Sequence, residues 1–313
     1  MTDKPTNMGA SVRARLLNLA QKSGTDFQLL LTRYVLERLL YRLSISPYRE
    51  EFILKGAMLN AVWLVDPYRA TRDLDLLGRI SRDAAQVGKV FSDIFSIPVD
   101  DDGVAFDIEK LRTDPIREEI TYGGIRITTV AHLGGARVPV QVDIGFGDAI
   151  TPKPAIVDYP VLLDLPKPNL LIYPQETVVA EKFEAIVALG LTNSRMKDFH
   201  DIAVLAKYFA FDGPLLVDAF AATFKRRGTP LPKAPPPALT DDYSKQSSTS
   251  AQWKAFVVRE SIPRDFADMD SLIEFLRAFL IPPTLAAAHQ HPFELRWPAA
   301  GPWQSKSRAS ERH

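Results

Sequence analysis

The pattern of apolar positions divides the chain into three stretches. Up to about residue 50, apolar residues recur every three or four positions, which predicts amphipathic helices at Ser11–Gln21 and Thr25–Leu43. Between Glu51 and Asp148, helical and alternating patterns follow one another. A proline-rich segment comes next, and beyond it the pattern is mainly helical.

The middle stretch predicts an α/β or α+β core, in which a mixed sheet is flanked by helices. Helices are expected at Phe52–Val65 and Ser81–Ile94. Paired glycines at Tyr122-Gly-Gly124 lie between β-branched runs and suggest a hairpin. The predicted strands are Asp73–Leu77, Phe106–Leu111, Glu118–Val130 with a break at the paired glycines, and Val138–Phe146.

The last stretch predicts a mainly helical C-terminal domain. Residues 228–250 are rich in proline and serine and are expected to form a solvated linker or long surface loop. The tail after Pro282 lacks periodicity and is expected to be mobile. The predicted helices are Gln175–Leu189, Ser194–Tyr208, Pro214–Arg226, Ala251–Arg259 and Asp268–Leu280.

Composition restricts the possible functions. The chain has 38 basic residues (lysine and arginine) and 38 acidic residues (aspartate and glutamate), so its net charge attracts no anionic partner. Such a partner would have to bind a local basic patch, for which the N-terminal helices are candidates. More often, such charges form only the solvated face of a helix. The absence of cysteine excludes thiolate metal sites, and the five histidines form no ligand-like cluster. Without a signal peptide or a long apolar run, the protein is expected to be cytoplasmic, with no membrane partner.

Two aspartates on one predicted strand are the first candidate chemistry. Alternate strand residues point to the same face, so Asp73 and Asp75 would project together while Leu74 and Leu76 turn into the core. Carboxylates that converge in this way suit Mg²⁺, although an exposed polar edge strand gives the same pattern. Asp143, on a β-branched alternating run, would add a third carboxylate from a neighbouring strand.

Other charged and glycine residues fit a phosphate ligand. Gly56, at the start of a predicted buried helix, would let the backbone approach a phosphate. Lys182 and the Arg195-x-Lys-Asp198 cluster would place cations and a carboxylate opposite the aspartates, as a nucleoside triphosphate requires. Taken singly, Asp198 and Asp201 suit a stabilising first helical turn, and Lys182 suits an exposed helix face.

The candidate residues lie in five segments, which are Leu54-Lys-Gly-Ala57, Arg69-x-Thr71-x-Asp73-x-Asp75, Val142-Asp143-Ile144, Ala180-Glu-Lys182 and Arg195-x-Lys-Asp198-x-x-Asp201. Taken together, these segments resemble the AbiEii/AbiGii family of toxins, which includes the MenT toxins, and the resemblance extends over about residues 10 to 210. That resemblance implies a nucleotidyltransferase-like core at 51–165, N-terminal helices at 1–50 packed on it, and a helical domain at 166–313. A second glycine, frequent in the family, is Ala57 here.

The resemblance also implies a function. The chain would be the toxin of a toxin–antitoxin or abortive-infection system for phage defence, with a cognate antitoxin as partner. It would move a nucleotide from an NTP to an RNA acceptor, first of all the tRNA 3′ end, with Mg²⁺ or Mn²⁺ as cofactor, and so block translation. The implied metal ligands are Asp73, Asp75 and Asp143, the implied nucleotide-binding residues are Gly56, Thr71, Lys182, Arg195 and Lys197, and Asp198 would orient Lys182 or the nucleotide.

Two alternatives use the same residues. A protein-modifying nucleotidyl- or phosphotransferase would place the metal site opposite a hydroxyl group of a protein. A non-catalytic nucleotide-binding module would act by binding a partner, but the intact set of carboxylates and Lys182 argues against it.

Overall fold

The computed structural model describes residues 7–64, 71–116, 123–260, 266 and 268–305. The chain forms two compact units. The first comprises the residues up to Gly147 together with Ala155–Tyr173, and the second comprises Asp148–Pro154 and the residues from Pro174 onward.

Two amphipathic helices open the first unit, as predicted. Helix α1 (Met8–Ser23) begins at Asn7, whose side chain accepts a hydrogen bond from the Ala10 amide at 2.9 Å. Helix α2 (Phe27–Ser44) is capped in the same way by Asp26 and packs against the sheet. Two further helices of this unit are α3 (Asn60–Trp63) and α4 (Ala84–Phe95).

The described residues of the first unit include an eight-stranded mixed sheet. Its order is β3-β5-β6-β2-β1-β8-β7, with β4 beside β5. The β2–β6 and β1–β8 pairs are parallel and the others are antiparallel. The strands are β1 (Phe52–Lys55), β2 (Leu74–Gly78), β3 (Val104–Phe106), β4 (Arg112–Ile116), β5 (Gly124–Leu133), β6 (Ala136–Phe146), β7 (Ala155–Asp158) and β8 (Asn169–Ile172).

A tight turn sets the register of the two longest strands. Gly134 and Gly135 connect β5 to β6 with φ angles of +52° and +80°, values that a two-residue hairpin turn requires and that glycine adopts readily. Along β6, Val138, Val140 and Val142 are buried and alternate with more exposed residues. One face of this strand therefore packs into the core, while the other carries its polar side chains.

The second unit is mainly helical, so the predicted mixed sheet followed by a helical region is confirmed. Its core includes Phe183, Phe220 and Trp253, each at most 1% exposed. The helices are α5 (Gln175–Leu189), α6 (Met196–Tyr208), α7 (Gly213–Arg227), α8 (Asp241–Ser244), α9 (Ser247–Arg259) and α10 (Met269–His289), and the short strands are β9 (Phe211–Asp212), β10 (Leu295–Trp297) and β11 (Gln304–Ser305).

Two secondary-structure predictions in the first unit were wrong. Phe52–Lys55 is a strand rather than part of a helix, and a 3₁₀ turn and α3 follow it. Because β1 is a central strand with consecutive buried residues, its apolar run lacks the alternation that identifies a half-buried strand. The predicted strand Phe106–Leu111 is interrupted by a 3₁₀ turn at Ile108–Lys110. Of the predicted hairpin at the paired glycines, residues 117–122 lie outside the described residues.

Two predictions about the C-terminal half were also wrong. Residues 228–250 are not a solvated linker, because Leu239 and Tyr243 are fully buried and the Tyr243 hydroxyl donates to the Asn193 carbonyl at 2.6 Å. The chain after Pro282 remains helical to His289. Further on, Trp297 is 1% exposed and donates its indole N–H to the Ala206 carbonyl at 2.7 Å. Buried aromatic residues fix both segments.

One helix among the described residues, α10, is long and apolar enough to cross a membrane by length and composition alone. It packs against α6 and α7, with Leu272 and Phe279 fully buried. A core helix passes the same test, so α10 is weak evidence for a membrane span.

Candidate active site

Two parallel strands bring the predicted metal ligands together. Asp75 on β2 lies opposite Asp143 on β6, and Asp73 comes two residues before Asp75. Their neighbours Leu74 and Leu76 are fully buried, as predicted for the opposite face. One carboxylate oxygen of each aspartate lies within 4.8 Å of the others, and all three residues are partly exposed.

This group of oxygens has the chemistry of a hard-cation site. Three carboxylates with solvent access leave room for the waters and phosphate oxygens that complete the coordination of Mg²⁺. Carboxylates held this close also repel one another, which a bound divalent cation would offset. The donor set therefore fits Mg²⁺ or Mn²⁺.

Gly56 makes room for one of these carboxylates. It follows β1, which pairs antiparallel with β2 so that Lys55 lies opposite Asp75. At Gly56, where φ is +74°, a Cβ atom would fall 1.9 Å from Asp75 Oδ2, far inside contact distance. Any larger residue at position 56 would displace the Asp75 carboxylate or the backbone. The position of Asp75 therefore requires glycine at residue 56.

Thr71 holds the first aspartate. Its hydroxyl oxygen lies within hydrogen-bond distance of both the Asp73 carboxylate and the Asp73 carbonyl oxygen. The Asp73 amide points back to the same hydroxyl at 3.4 Å. The structure thus links Thr71 to the carboxylate cluster through Asp73.

Arg126 is a member of this cluster that the sequence reasoning missed. It lies on β5 directly opposite Asp143, with Nε 2.7 Å from Oδ1 and Nη2 2.7 Å from Oδ2. The hydrogen bonds with Asp143 raise the pKa of Arg126, and the charges of Asp73 and Asp75 raise it further. The guanidinium therefore lies in the field of all three aspartates. The two-residue turn at Gly134-Gly135 sets the register of β5 against β6, so this turn was the sequence signal that could have revealed the pairing of Arg126 with Asp143.

The second set of predicted residues meets on α5 and α6. Lys182 lies in the middle of α5, and its Nζ is 2.9 Å from Asp198 Oδ1 and 2.8 Å from Asp201 Oδ2. Both aspartates are buried. Burial alone would lower the pKa of Lys182, but the charges of Asp201 and Asp198 outweigh it and raise the pKa above its ordinary value. The two carboxylates therefore favour the charged form of Lys182.

The two cationic residues predicted beside this group are on the surface. Arg195 precedes α6, and its Nε forms an ion pair with Asp198 at 2.7 Å while half of its side chain is exposed. Lys197 is also exposed. The carboxylate cluster belongs to the first unit and the lysine cluster to the second. The predicted convergence of the two on one nucleotide stays a prediction.

Comparison with known proteins identifies the family. The model of the family described as nucleotidyl transferase AbiEii toxin, type IV toxin–antitoxin system, matches residues 38–272, which is more than half of the chain. The chain belongs to the AbiEii family. It is accordingly a nucleotidyltransferase and a toxin of the type IV class, which implies an NTP substrate and an antitoxin partner. The resemblance read from the sequence is confirmed.

The solved structures that are similar to this chain include the following two. JHP933 from Helicobacter pylori is 16% identical with a TM-score of 0.45, and the match covers 84% of this chain and 91% of that one. An antigenic nucleotidyltransferase-like protein from Paracoccidioides brasiliensis is 15% identical with a TM-score of 0.33, over 79% and 92% of the two chains. No curated protein matches the sequence. The family assignment rests on the family model alone.

Proposed function

We propose that this AbiEii-family toxin transfers a nucleotide from an NTP to an RNA acceptor in a reaction that depends on Mg²⁺ or Mn²⁺. The tRNA 3′ end is the first candidate acceptor. A tRNA whose 3′ end carries an added nucleotide could not be aminoacylated, and translation in the cytoplasm would be blocked. The observation that carries the proposal is the meeting of Asp73, Asp75 and Asp143 within 4.8 Å in a chain of a nucleotidyltransferase family.

The carboxylate cluster supplies the metal site of this proposal. Asp73, Asp75 and Asp143 would hold the cation, which when bound lowers the pKa of an attacking hydroxyl and stabilises the leaving pyrophosphate. Thr71 fixes Asp73 through its hydroxyl, and Gly56 leaves space for Asp75. These two residues thereby set the spacing of the ligands. A direct contact of Gly56 or Thr71 with the nucleotide is part of the same proposal.

The reaction itself is a displacement at phosphorus. The acceptor hydroxyl attacks the α-phosphorus of the NTP, a new P–O bond forms, and the bond to the β-phosphate breaks. Pyrophosphate leaves, and the hydroxyl proton passes to solvent. The protein mainly positions the groups and neutralises charge, as in other phosphoryl and nucleotidyl transfers.

Lys182 is suited to the triphosphate. Asp198 and Asp201 each accept one hydrogen bond from its ammonium group. Among the described residues, two of the three N–H donors of Lys182 therefore have carboxylate partners. The third donor would bind a phosphate oxygen as a point charge. Asp198 orients Lys182, and the exposed Arg195 and Lys197 would steady the phosphates or the acceptor.

Several arginines of the basic segments are buried or paired inside the protein, so fewer basic residues are available to bind RNA. Arg38 and Arg42 of α2 are buried. Arg38 Nη2 donates to the Pro166 carbonyl at 2.9 Å, and Arg42 pairs with Asp102 at 2.7 Å. Arg227 pairs with Glu184 at 2.8 Å inside the second unit. These three arginines therefore have structural partners. The exposed basic residues of these segments are Arg13, Arg15 and Lys22 on the N-terminal helices and Lys225 in the last turn of α7.

The acceptor is tested with labelled nucleotides. Purified protein is incubated with total tRNA, Mg²⁺ and each NTP labelled at the α- or γ-phosphate, and RNA and protein are resolved on separate gels. The proposal expects α-label on RNA with wild type and with Asp100→Asn, an exposed control, and none with Asp75→Asn. Label on protein, or transfer of γ-label, would overturn it in favour of a protein-modifying enzyme or a phosphotransferase.

A further inference from the structure

The Asp143 carboxylate accepts three hydrogen bonds from neighbouring side chains. Arg126 Nε binds Oδ1 at 2.7 Å, Arg126 Nη2 binds Oδ2 at 2.7 Å, and Gln141 Nε2 binds Oδ2 at 3.2 Å. A carboxylate offers about four acceptor positions. Three of them are thus taken by these two neighbours, and Arg126 accounts for two.

Arg126 is the positive charge built into the carboxylate cluster. A planar guanidinium bound in two places to one carboxylate is a strong, charge-assisted pair. The pair is not sealed in the protein, because the side chain of Arg126 is 41% exposed and that of Asp143 is 17% exposed. The pairing is therefore strong in geometry but open to exchange with a competing cation.

We propose that Arg126 is the resident counter-ion of the cluster, that a divalent cation binds by displacing its guanidinium from Asp143, and that the released guanidinium moves to the phosphates of the NTP. This inference rests on the proposed function, because it assumes that Asp143 is a metal ligand. Gln141 stays on Oδ2 during the exchange and keeps the carboxylate oriented.

The exchange couples the cation to the nucleotide. Without an NTP, Arg126 competes with the cation for Asp143 and repels it as a like charge. With an NTP, the guanidinium gains phosphate oxygens as partners, which it binds in the same two-pronged manner. The cation therefore binds weakly alone and tightly together with its substrate. This favours anionic nucleotides over neutral ligands.

The test measures free Mn²⁺ by electron paramagnetic resonance, with and without an α,β-methylene nucleoside triphosphate. For Arg126→Gln we expect Mn²⁺ affinity about tenfold above wild type without nucleotide. The gain in Mn²⁺ affinity on adding nucleotide should be smaller than in wild type. Arg126→Lys, which keeps the charge, should stay within about threefold of wild type without nucleotide. Arg137→Gln, at an exposed position of the same hairpin, should match wild type in both conditions.

The outcomes separate this inference from the function beneath it. Equal or weaker Mn²⁺ binding by Arg126→Gln, or an unchanged nucleotide effect, overturns the exchange while Asp75→Asn still loses the cation. If wild type and Asp75→Asn bind Mn²⁺ equally, the metal site and the proposed function fail together. Circular dichroism of each variant shows whether it is folded. If Arg126→Gln does not fold, Arg126→Met, which also removes the charge, takes its place with the same expected gain in Mn²⁺ affinity.

Discussion

The Asp75 carboxylate lies so close to Gly56 that one methyl group decides whether the cluster can form. A Cβ at residue 56 would be 1.9 Å from Oδ2 and 2.6 Å from Cγ of Asp75. Within the same cluster, the Thr71 hydroxyl forms a hydrogen bond with the Asp73 carboxylate. Two predictions belong to this scale, one for each cluster.

Gly56→Ala should abolish nucleotide transfer and weaken Mn²⁺ binding, because the new methyl group displaces Asp75. Gly24→Ala is the matched control, since φ is +69° there and a Cβ atom would meet nothing within 4 Å. Both variants lose about 1 kcal/mol of unfolding free energy from the left-handed backbone. Only Gly56→Ala should bind Mn²⁺ more weakly than wild type, as measured by titration with Mn²⁺. Retention of wild-type Mn²⁺ affinity by Gly56→Ala would contradict the role given to Gly56.

Lys182→Met should lower the free energy of unfolding by about 3 kcal/mol, because it leaves two buried carboxylates, Asp198 and Asp201, without their shared cation. Lys197→Met, at an exposed position of α6, should change it by less than about 0.5 kcal/mol. Urea denaturation of the two variants makes the comparison. Equal stabilities would show that the Lys182 ion pairs contribute nothing to the fold.

The β5–β6 hairpin shows what the sequence could predict about elements and what it could not. Alternation identified β6 and placed Asp143 on its polar face, and parallel pairing with β2 confirmed the meeting with Asp75. Arg126 was missed because an isolated arginine in a strand carries no signal of its own. Counting outward from the two-residue turn at Gly134-Gly135 pairs Arg126 with Asp143. The partner was therefore predictable once the turn was recognised.

Other elements could not be recovered from local pattern. Strand β1 is buried on both faces, so its apolar run cannot be distinguished from a helix segment by periodicity. The segment around Tyr243 is polar and rich in proline, yet a few aromatic anchors bury it. Such packing depends on partners far along the chain. Helix α5 was predicted with its observed bounds, and α6 and α7 were predicted to within two residues at each end.

Helix α2 makes a pH-dependent contact with the segment that precedes β8. Glu37 is fully buried and accepts hydrogen bonds from Arg33 Nε and the Leu162 amide, both at 2.9 Å. Burial raises its pKa from 4.5 to about 7, against the opposing charges of Arg33 and Arg38. The folded state therefore binds this proton more tightly than the unfolded state, and the free energy of unfolding should fall as the pH rises between these two values.

The size of this loss should be about 3 kcal/mol, the equivalent of the pKa shift. Above the folded-state pKa and below the unfolded-state pKa, the contribution should be constant. Urea denaturation at about pH 5 and about pH 8 should show the loss in wild type and its absence in Glu37→Gln. Parallel pH profiles for the two proteins would exclude a titration of Glu37 in this range.

The boundary between the two compact units differs from the domain boundary predicted from the sequence. The domain boundary predicted from the sequence lies at residues 165/166, whereas the first compact unit extends through Tyr173 and includes both β7 and β8. Strand β8 pairs with the central strand β1, and Leu170 and Tyr173 are buried. A cut at 165 would remove β8 and expose this edge of the sheet.

Truncated chains test which boundary is correct. The fragment 1–173 should unfold cooperatively and bind Mn²⁺ through the carboxylate cluster, because it retains all eight strands of the sheet. It should not transfer nucleotide, because Lys182 and Asp198 lie in the second unit. The fragment 1–165 should show no cooperative transition. Cooperative unfolding of 1–165 equal to that of 1–173 would support the earlier boundary.

The rate of nucleotide transfer by single asparagine variants of the clustered aspartates tests the central claim most directly. In Mg²⁺, Asp73→Asn, Asp75→Asn and Asp143→Asn should each transfer nucleotide at least about 100-fold more slowly than wild type. Asp100→Asn should stay within about twofold, and a chelator should stop the wild type. A wild-type rate from any of the three folded variants, or a rate unaffected by the chelator, would contradict the claim that these carboxylates form the catalytic metal site.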